Sequence, residues 1–145
     1  MKRKYWLISS VILVLSLIDI HSVSATTTIT GATIEVYPSK GDITTNILVH
    51  VKGEPYTADY TTSFKDYPVL YLYYDDKCIV QRMPPITVSP PGPLYNPYYC
   101  SFDINVSVPN EYPYSELGIH NITAVIEASD GTKANATAKF EVVNY

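Results

Sequence analysis

Apolar and polar residues alternate in two runs near the end of the chain. Every second residue is apolar from Ile122 to Ala128, and again from Ala134 to Val142. Asp130-Gly131 separates the two runs. Two period-2 runs around an Asp-Gly pair predict a β-hairpin. Because only one face of each run is apolar, we expect the hairpin to pack one face on a core and to turn the other toward solvent.

Five more stretches have strand-like patterns. They are Ala32 to Tyr37, Ile43 to Val51, Val69 to Tyr74, Lys77 to Arg82 and Cys100 to Val108. Asp75-Asp76 predicts a turn between the third and fourth, and Gly53 is expected to end the second. Residues 54–68 show no clear period and residues 83–97 are rich in proline, so both are expected to be connections rather than central strands.

These patterns predict an all-β fold, a seven-stranded antiparallel β-sandwich. No stretch has the period of a helix. The first, second and fifth strands are expected to form one sheet, and the other four the second sheet.

Three stretches resemble the immunoglobulin-like and fibronectin-III-like modules of secreted cell-surface proteins. They are Ile34-Glu-Val-Tyr-Pro-Ser-Lys-Gly41, the strand from Ile43 to Val51, and Leu117-Gly-Ile-His-Asn-Ile-Thr123 with its hairpin. In such modules a Gly-x-(Tyr or His)-x-Ile run opens the strand before the last, and His120 holds the aromatic place here. The resemblance implies an Ig-like or fibronectin-III-like domain over residues 32–145, and it specifies an architecture rather than a ligand.

The N-terminus has the pattern of a secretory signal peptide. Three basic residues precede an apolar run from Trp6 to Ile18, and Val23-Ser24-Ala25 offers a cleavage site. The run is shorter than the ~20 residues that span a bilayer, so we predict a signal peptide over residues 1–25. An uncleaved membrane anchor is the alternative. Residues 26–31 would follow as a flexible arm or an edge strand.

Charge narrows the choice of partners. The whole chain has 10 basic and 14 acidic residues and a net charge of −4, and the signal peptide removes mainly basic residues. An acidic chain without a basic run argues against nucleic acid, and contact with a membrane is expected only through the signal peptide. We therefore expect a secreted protein or one on the extracellular cell surface.

Both cysteines, Cys78 and Cys100, lie in the predicted mature chain. An even number of cysteines in a secreted protein predicts a disulfide. The bond would join the two ends of the proline-rich connection. Two buried free thiols are the alternative.

Three Asn-x-Ser/Thr sequons begin at Asn105, Asn121 and Asn135. Each asparagine lies on the polar phase of its strand, so its side chain is expected to face solvent, as a glycan acceptor must. If the strands pair as predicted, the three sites lie on both sheets.

No pattern in the sequence indicates an active site, a cofactor or a metal centre. His50 is expected at the surface, and His120 at the edge of the core with a hydrogen bond to backbone. No nucleophile motif or calcium-loop spacing is present. We therefore do not expect an enzyme.

Tyrosine is abundant, with 14 residues. Tyr95, Tyr98, Tyr112 and Tyr114 cluster in loops and form a candidate binding surface for protein or sugar, unless they simply pack over the sheet ends.

The leading hypothesis is a non-enzymatic, glycosylated Ig-like module in adhesion or in an extracellular structure, which contacts protein or glycan at the cell surface. One alternative is a filament subunit that self-associates by donating its N-terminal arm as a strand. The other is a small carbohydrate-binding module that uses the loop tyrosines.

Overall fold

The computed structural model describes residues 28–57, 67–88 and 98–144. These residues form ten β-strands: β1 (Thr28–Ile29), β2 (Ala32–Tyr37), β3 (Lys40–Gly41), β4 (Asn46–Thr57), β5 (Val69–Tyr74), β6 (Lys77–Met83), β7 (Thr87–Val88), β8 (Tyr98–Ser107), β9 (Gly118–Glu127) and β10 (Lys133–Val142). The predicted signal peptide, residues 1–25, lies outside the described residues. Within the described ranges, no helix is long and apolar enough to cross a bilayer.

The strands form two sheets that pack as a sandwich. In sheet A, β4 pairs with β8 on one side and with β1 and β2 on the other. The short strand β7 pairs with the far side of β8. Sheet B has the order β3-β10-β9-β5-β6. The predicted sandwich and the predicted division of the seven longer strands between its two sheets are therefore confirmed.

The predicted number of strands is wrong, because there are ten rather than seven. The three additional strands, β1, β3 and β7, have 2 residues each. Each forms where a connecting segment runs briefly along a sheet edge, and two residues are too few to show a periodic pattern. One of them, β1, is the edge strand that was an option for residues 26–31.

The chain changes sheet between β2 and β3. β2 pairs antiparallel with β4 in sheet A, whereas β3 pairs parallel with β10 in sheet B. The turn between them is tied to sheet B, since the backbone N–H of Glu141 donates to the carbonyl of Ser39 over 2.9 Å. The first part of the domain therefore closes one side of the sandwich.

Glycine at position 53 does not end its strand as predicted, because β4 continues to Thr57. A Cβ at Gly53 would lie 2.4 Å from Ile29 Cδ1 and 2.8 Å from Cys100 Sγ. Ile29 is buried, although β1 pairs with β4 at only two positions. Glycine is thus needed to admit the side chain of the N-terminal edge strand into the core, while the irregular pairing with β8 after Gly53 bends the strand.

The core lies between the sheets and consists of the inward residues of the alternating strands. Its largest fully buried side chains are Tyr74, Phe102, Phe140, Ile29, Ile47, Leu70, Leu72, Ile122, Ile126, Val49 and Val51. The β9–β10 hairpin closes at the predicted Asp-Gly position, where the N–H of Gly131 donates to the carbonyl of Ala128 over 3.0 Å. Its predicted face assignment is confirmed, because Ile122, Ala124 and Ile126 are buried.

The predicted disulfide is wrong, since Cys78 and Cys100 are both free thiols. Cys100 lies on β8 in sheet A and is fully buried in the core. Cys78 lies on β6 in sheet B as the cross-strand partner of Tyr73. Tyr73 alternates with the buried residues Leu72 and Tyr74, so Cys78 is on the outer face of its sheet. The two thiols are therefore on different sheets, and only one points inward.

Candidate functional site

The three sequon asparagines are all exposed. Asn105 lies on the outer face of sheet A, whereas Asn121 and Asn135 lie on the outer face of sheet B. Each lies between inward neighbours on its strand, so the predicted strand phase is correct at all three positions. The fold thus turns at least one sequon asparagine to solvent on each outer face of the sandwich.

One end of the sandwich is formed by the β8–β9 loop, the β5–β6 turn and the turn between β3 and β4; it is called the β8–β9 end below. His120, the first inward residue of β9, is buried there. Its Nδ1 lies 2.6 Å from Asp75 Oδ2, and its Nε2 lies 2.7 Å from the carbonyl oxygen of Glu116. The backbone contact was predicted. Asp75, which occupies the β5–β6 turn at a φ of 50°, was expected only as a turn residue.

Both ring nitrogens of His120 face acceptors. A neutral imidazole carries one N–H, so only the charged ring donates to Asp75 and Glu116 together. Burial opposes this charge and is the largest single effect on the pKa of His120. The two hydrogen bonds and the nearby negative charge outweigh it, so the pKa lies above its ordinary value. The His120 ring therefore stays protonated to a higher pH than a free histidine does.

Neighbouring contacts fix the β5–β6 turn to the β8–β9 loop. Tyr114 donates its hydroxyl proton to Asp76 Oδ1 over 2.7 Å, and Lys77 forms an ion pair with Glu111. The rings of Tyr74 and His120 stack with centroids 5.2 Å apart. The loop and the turn thus form one connected unit around the buried histidine.

Exposed apolar side chains concentrate at the β8–β9 end. Among the described residues, the large exposed hydrophobic side chains are Tyr37, Ile43, Leu48, Ile86, Tyr112, Leu117 and Ile119. All except Ile86 lie at this end. Alternation did not reveal this concentration, because these residues come from β2, β4, β9, a turn and a loop that meet only after folding.

The candidate tyrosine surface is only partly described. Tyr112 is 79% exposed. Tyr114 is half-buried, packs against the core and bonds to Asp76. Tyr95 lies outside the described residues, and of Tyr98 only the backbone in β8 is described. Of the four tyrosines, Tyr112 is therefore exposed to solvent, and Tyr114 fixes the β8–β9 loop to the β5–β6 turn.

Several other titratable groups are held by partners or by burial. His50, as expected at the surface, lies 2.5 Å from Asp103 across β4 and β8. Asp130 accepts hydroxyl protons from Thr132 and Thr28, and these bonds lower its pKa. Burial raises the pKa of the Cys100 thiol to about 12. Within the described ranges, no three His, Cys, Asp or Glu side chains are grouped so that they could hold a metal ion.

An open depression of about 270 Å³ lies at the opposite end, beside Val69, Arg82 and Glu127. It adjoins Tyr67, which directly follows the part of the chain outside the described ranges.

Comparisons with known proteins assign no family. No protein-family model matches the chain, and no curated protein matches it significantly. The chain is thus an all-β sandwich of two sheets.

Proposed function

We propose that the protein is a non-enzymatic, secreted or surface-attached, glycosylated module with a role in adhesion or in an extracellular structure. The observation that carries this proposal is the apolar β8–β9 end. Six of the seven large exposed hydrophobic side chains among the described residues lie at this end, and such a concentration of exposed apolar side chains is typical of a surface that contacts a partner. The three outward asparagines support an extracellular setting, since each meets the requirement of a glycan acceptor.

Kinship to Ig-like or fibronectin-III-like modules remains part of the proposal. Two features favour it. Near the start of the domain the chain pairs with sheet A through β2 and then crosses to pair with sheet B through β3. At the start of β9, His120 bonds the carbonyl of Glu116, in the manner of the tyrosine that bonds upstream backbone at the corresponding corner of Ig domains.

The contact surface can be tested with purified mature protein and cells of its source. Leu117→Ser combined with Ile119→Thr removes exposed apolar area at the β8–β9 end, and we expect binding of the labelled protein to those cells to fall at least several-fold. Ile86→Thr is the matched control, because Ile86 is 56% exposed but lies away from this end. Equal binding by all three proteins would contradict the proposed contact surface.

A second candidate is assembly by strand donation, which β1 supports. β1 pairs at only two positions, yet Ile29 is buried, Thr28 bonds Asp130, and the N–H of Ile29 donates to Thr132 Oγ1 over 3.0 Å. A neighbouring copy's β1 could make the same contacts. Size-exclusion chromatography of the mature protein with and without residues 26–31 tests this: donation predicts oligomers that dissociate on truncation, whereas a monomer in both forms would contradict it.

The carbohydrate-binding alternative rests, among the described side chains, on exposed Tyr112. Loss of a glycan-array signal in Tyr112→Ala would favour it, and an array without signal for the unmodified protein would count against it.

A further inference from the structure

Two large apolar side chains lie side by side on the outer face of sheet A, next to a sequon. The cross-strand register pairs Tyr37 with Leu48 and Leu48 with Asn105. Tyr37 is 77% exposed and Leu48 is 44% exposed. Directly opposed residues have Cβ atoms about 4.5–5.5 Å apart, so the three side chains form one continuous row on three adjacent strands.

This row departs from the rest of the face. The next row consists of Glu35, His50 and Asp103, all polar. An outer face of an antiparallel sheet normally carries polar side chains, and the row of Tyr37 and Leu48 is where sheet A exposes apolar area instead. The acceptor amide of Asn105 is the nearest attachment point for a group that could cover it.

On the basis of the proposed glycosylation, we propose that Asn105 carries a glycan and that its first sugar packs over Leu48 toward Tyr37. A pyranose ring has a C–H face that packs on apolar and aromatic surfaces while its hydroxyls stay in water. The neighbouring strand is only about 4.8 Å away, within reach of the first sugar. The two apolar side chains would then be part of a covered surface, and the contact surface of the β8–β9 end would be formed by Ile43, Tyr112, Leu117 and Ile119.

The modification itself is a group transfer with a defined balance. Asn105 Nδ2 bonds to the anomeric carbon of an oligosaccharide that is supplied on a lipid phosphate. The bond between that carbon and the phosphate oxygen breaks, the lipid phosphate leaves with the bonding electron pair, and the proton lost by the amide passes to water. Serine at position 107 completes the sequon.

The other two sequons have different surroundings. Asn121 is paired with Lys139, and its backbone N–H donates to Asp75 Oδ1 over 2.9 Å. Its cross-strand neighbours are therefore polar. Asn135 is paired with Val125, which is already half-buried. A sugar at Asn121 has no exposed apolar cross-strand pair to cover, which makes Asn121 the matched control.

The test uses full-length precursor, expressed and secreted by a host that glycosylates asparagine. Two variants are compared, Asn121→Gln, which keeps the Asn105 acceptor, and Asn105→Gln, which keeps the Asn121 acceptor. Tm is measured before and after enzymatic removal of the glycans. We expect Tm to fall by about 3–5 °C on deglycosylation of Asn121→Gln, a shift of the size that one apolar contact gives in a domain of this length. We expect a fall of less than about 1 °C for Asn105→Gln.

A second pair of variants separates packing from other effects of the sugar. Adding Leu48→Thr to Asn121→Gln should at least halve the fall in Tm, because threonine suits an exposed strand position but offers the sugar less apolar area. Equal falls in the two single variants, or no effect of Leu48→Thr, would overturn the inference.

Peptide mapping of the native protein distinguishes the inference from the proposed function. Sugar at Asn121 or Asn135 but not at Asn105 would overturn the inference and leave a glycosylated module intact. Sugar at none of the three would overturn both. If Asn105 is bare and Leu48→Thr weakens cell binding, the exposed row is a protein contact instead.

Discussion

Replacing His120 with phenylalanine is expected to lower stability by an amount that depends on pH. Phenylalanine keeps a ring against Tyr74 but removes both N–H donors. In the native protein these donors bond Asp75 over 2.6 Å and the Glu116 carbonyl over 2.7 Å. The His120 side chain is 9% exposed, and that of Asp75 is 32% exposed, so solvent weakens the first bond only in part.

The magnitude follows from the two bonds. A hydrogen bond contributes about 1 kcal/mol net, and one to a charged group about 1.5–3 kcal/mol. Taking the lower values because Asp75 is partly solvated, we expect His120→Phe to reduce the free energy of unfolding by about 2–3 kcal/mol below pH 6. Once the pH exceeds the folded pKa of His120, the native ring loses its proton and one of the two bonds, so the difference should shrink to about 1 kcal/mol.

The direction of the pH dependence is fixed by the raised pKa of His120. A group whose pKa is higher in the folded state than in the unfolded chain contributes its full stability below the unfolded value of about 6.5. That contribution is lost as pH rises through the folded pKa. The difference between native protein and His120→Phe should therefore be constant at acidic pH and fall above about pH 6.5.

Urea unfolding of both proteins between pH 5 and pH 9 measures this difference. His50→Phe is the matched control, because His50 also pairs with a carboxylate but its side chain is 42% exposed. Exposed ion pairs contribute about 0–1 kcal/mol, so we expect a small loss. Parallel pH profiles for native protein and His120→Phe would refute the argument that the ring is held doubly bonded and charged.

Three further predictions concern packing, the thiols and the sequons. Gly53→Ala should destabilise by about 1–3 kcal/mol through overpacking, and adding Ile29→Val should restore part of the loss because it removes the atom 2.4 Å from the new Cβ; an additive double mutant in urea unfolding would contradict this. Alkylation in denaturant without reductant should label both Cys78 and Cys100, and Cys78→Ser should cost less than about 1 kcal/mol; a loss of the 2–5 kcal/mol typical of a disulfide would mean that the thiols are paired. Asn→Gln at any one sequon in unglycosylated protein should change stability by less than about 0.5 kcal/mol, as for most surface positions, whereas a loss above about 2 kcal/mol would indicate a buried asparagine.

The longer strands and the faces that they bury could be predicted, because alternation marks a strand that lies on a core. In β9, for example, alternation correctly assigned Ile122 and Ile126 to the core and Asn121 to solvent. Period-2 patterning carries this information wherever a strand lies on a core. The two-residue strands β1, β3 and β7 were missed because pairing of that length leaves no period to detect.

The features that depend on tertiary proximity could not be predicted. Cysteine count favoured a disulfide, and the strands of Cys78 and Cys100 were expected on different sheets, but apolar residues on both phases of the β5–β6 hairpin left open which face Cys78 occupies. Gly53 was expected to terminate a strand, whereas its role is to make space for Ile29, a residue far away in the sequence. The partner of His120 and the apolar β8–β9 end likewise appear only when loops and turns are brought together.

The intact mass of the native protein tests the central claim most directly. We predict a chain that begins at Thr26 after loss of residues 1–25, carries added sugar mass at one or more sequons, and gains mass from two alkylated thiols when treated in denaturant without reductant. A chain that retains residues 1–25, or a mature chain with the mass of the bare polypeptide, would contradict the account of a secreted, glycosylated module.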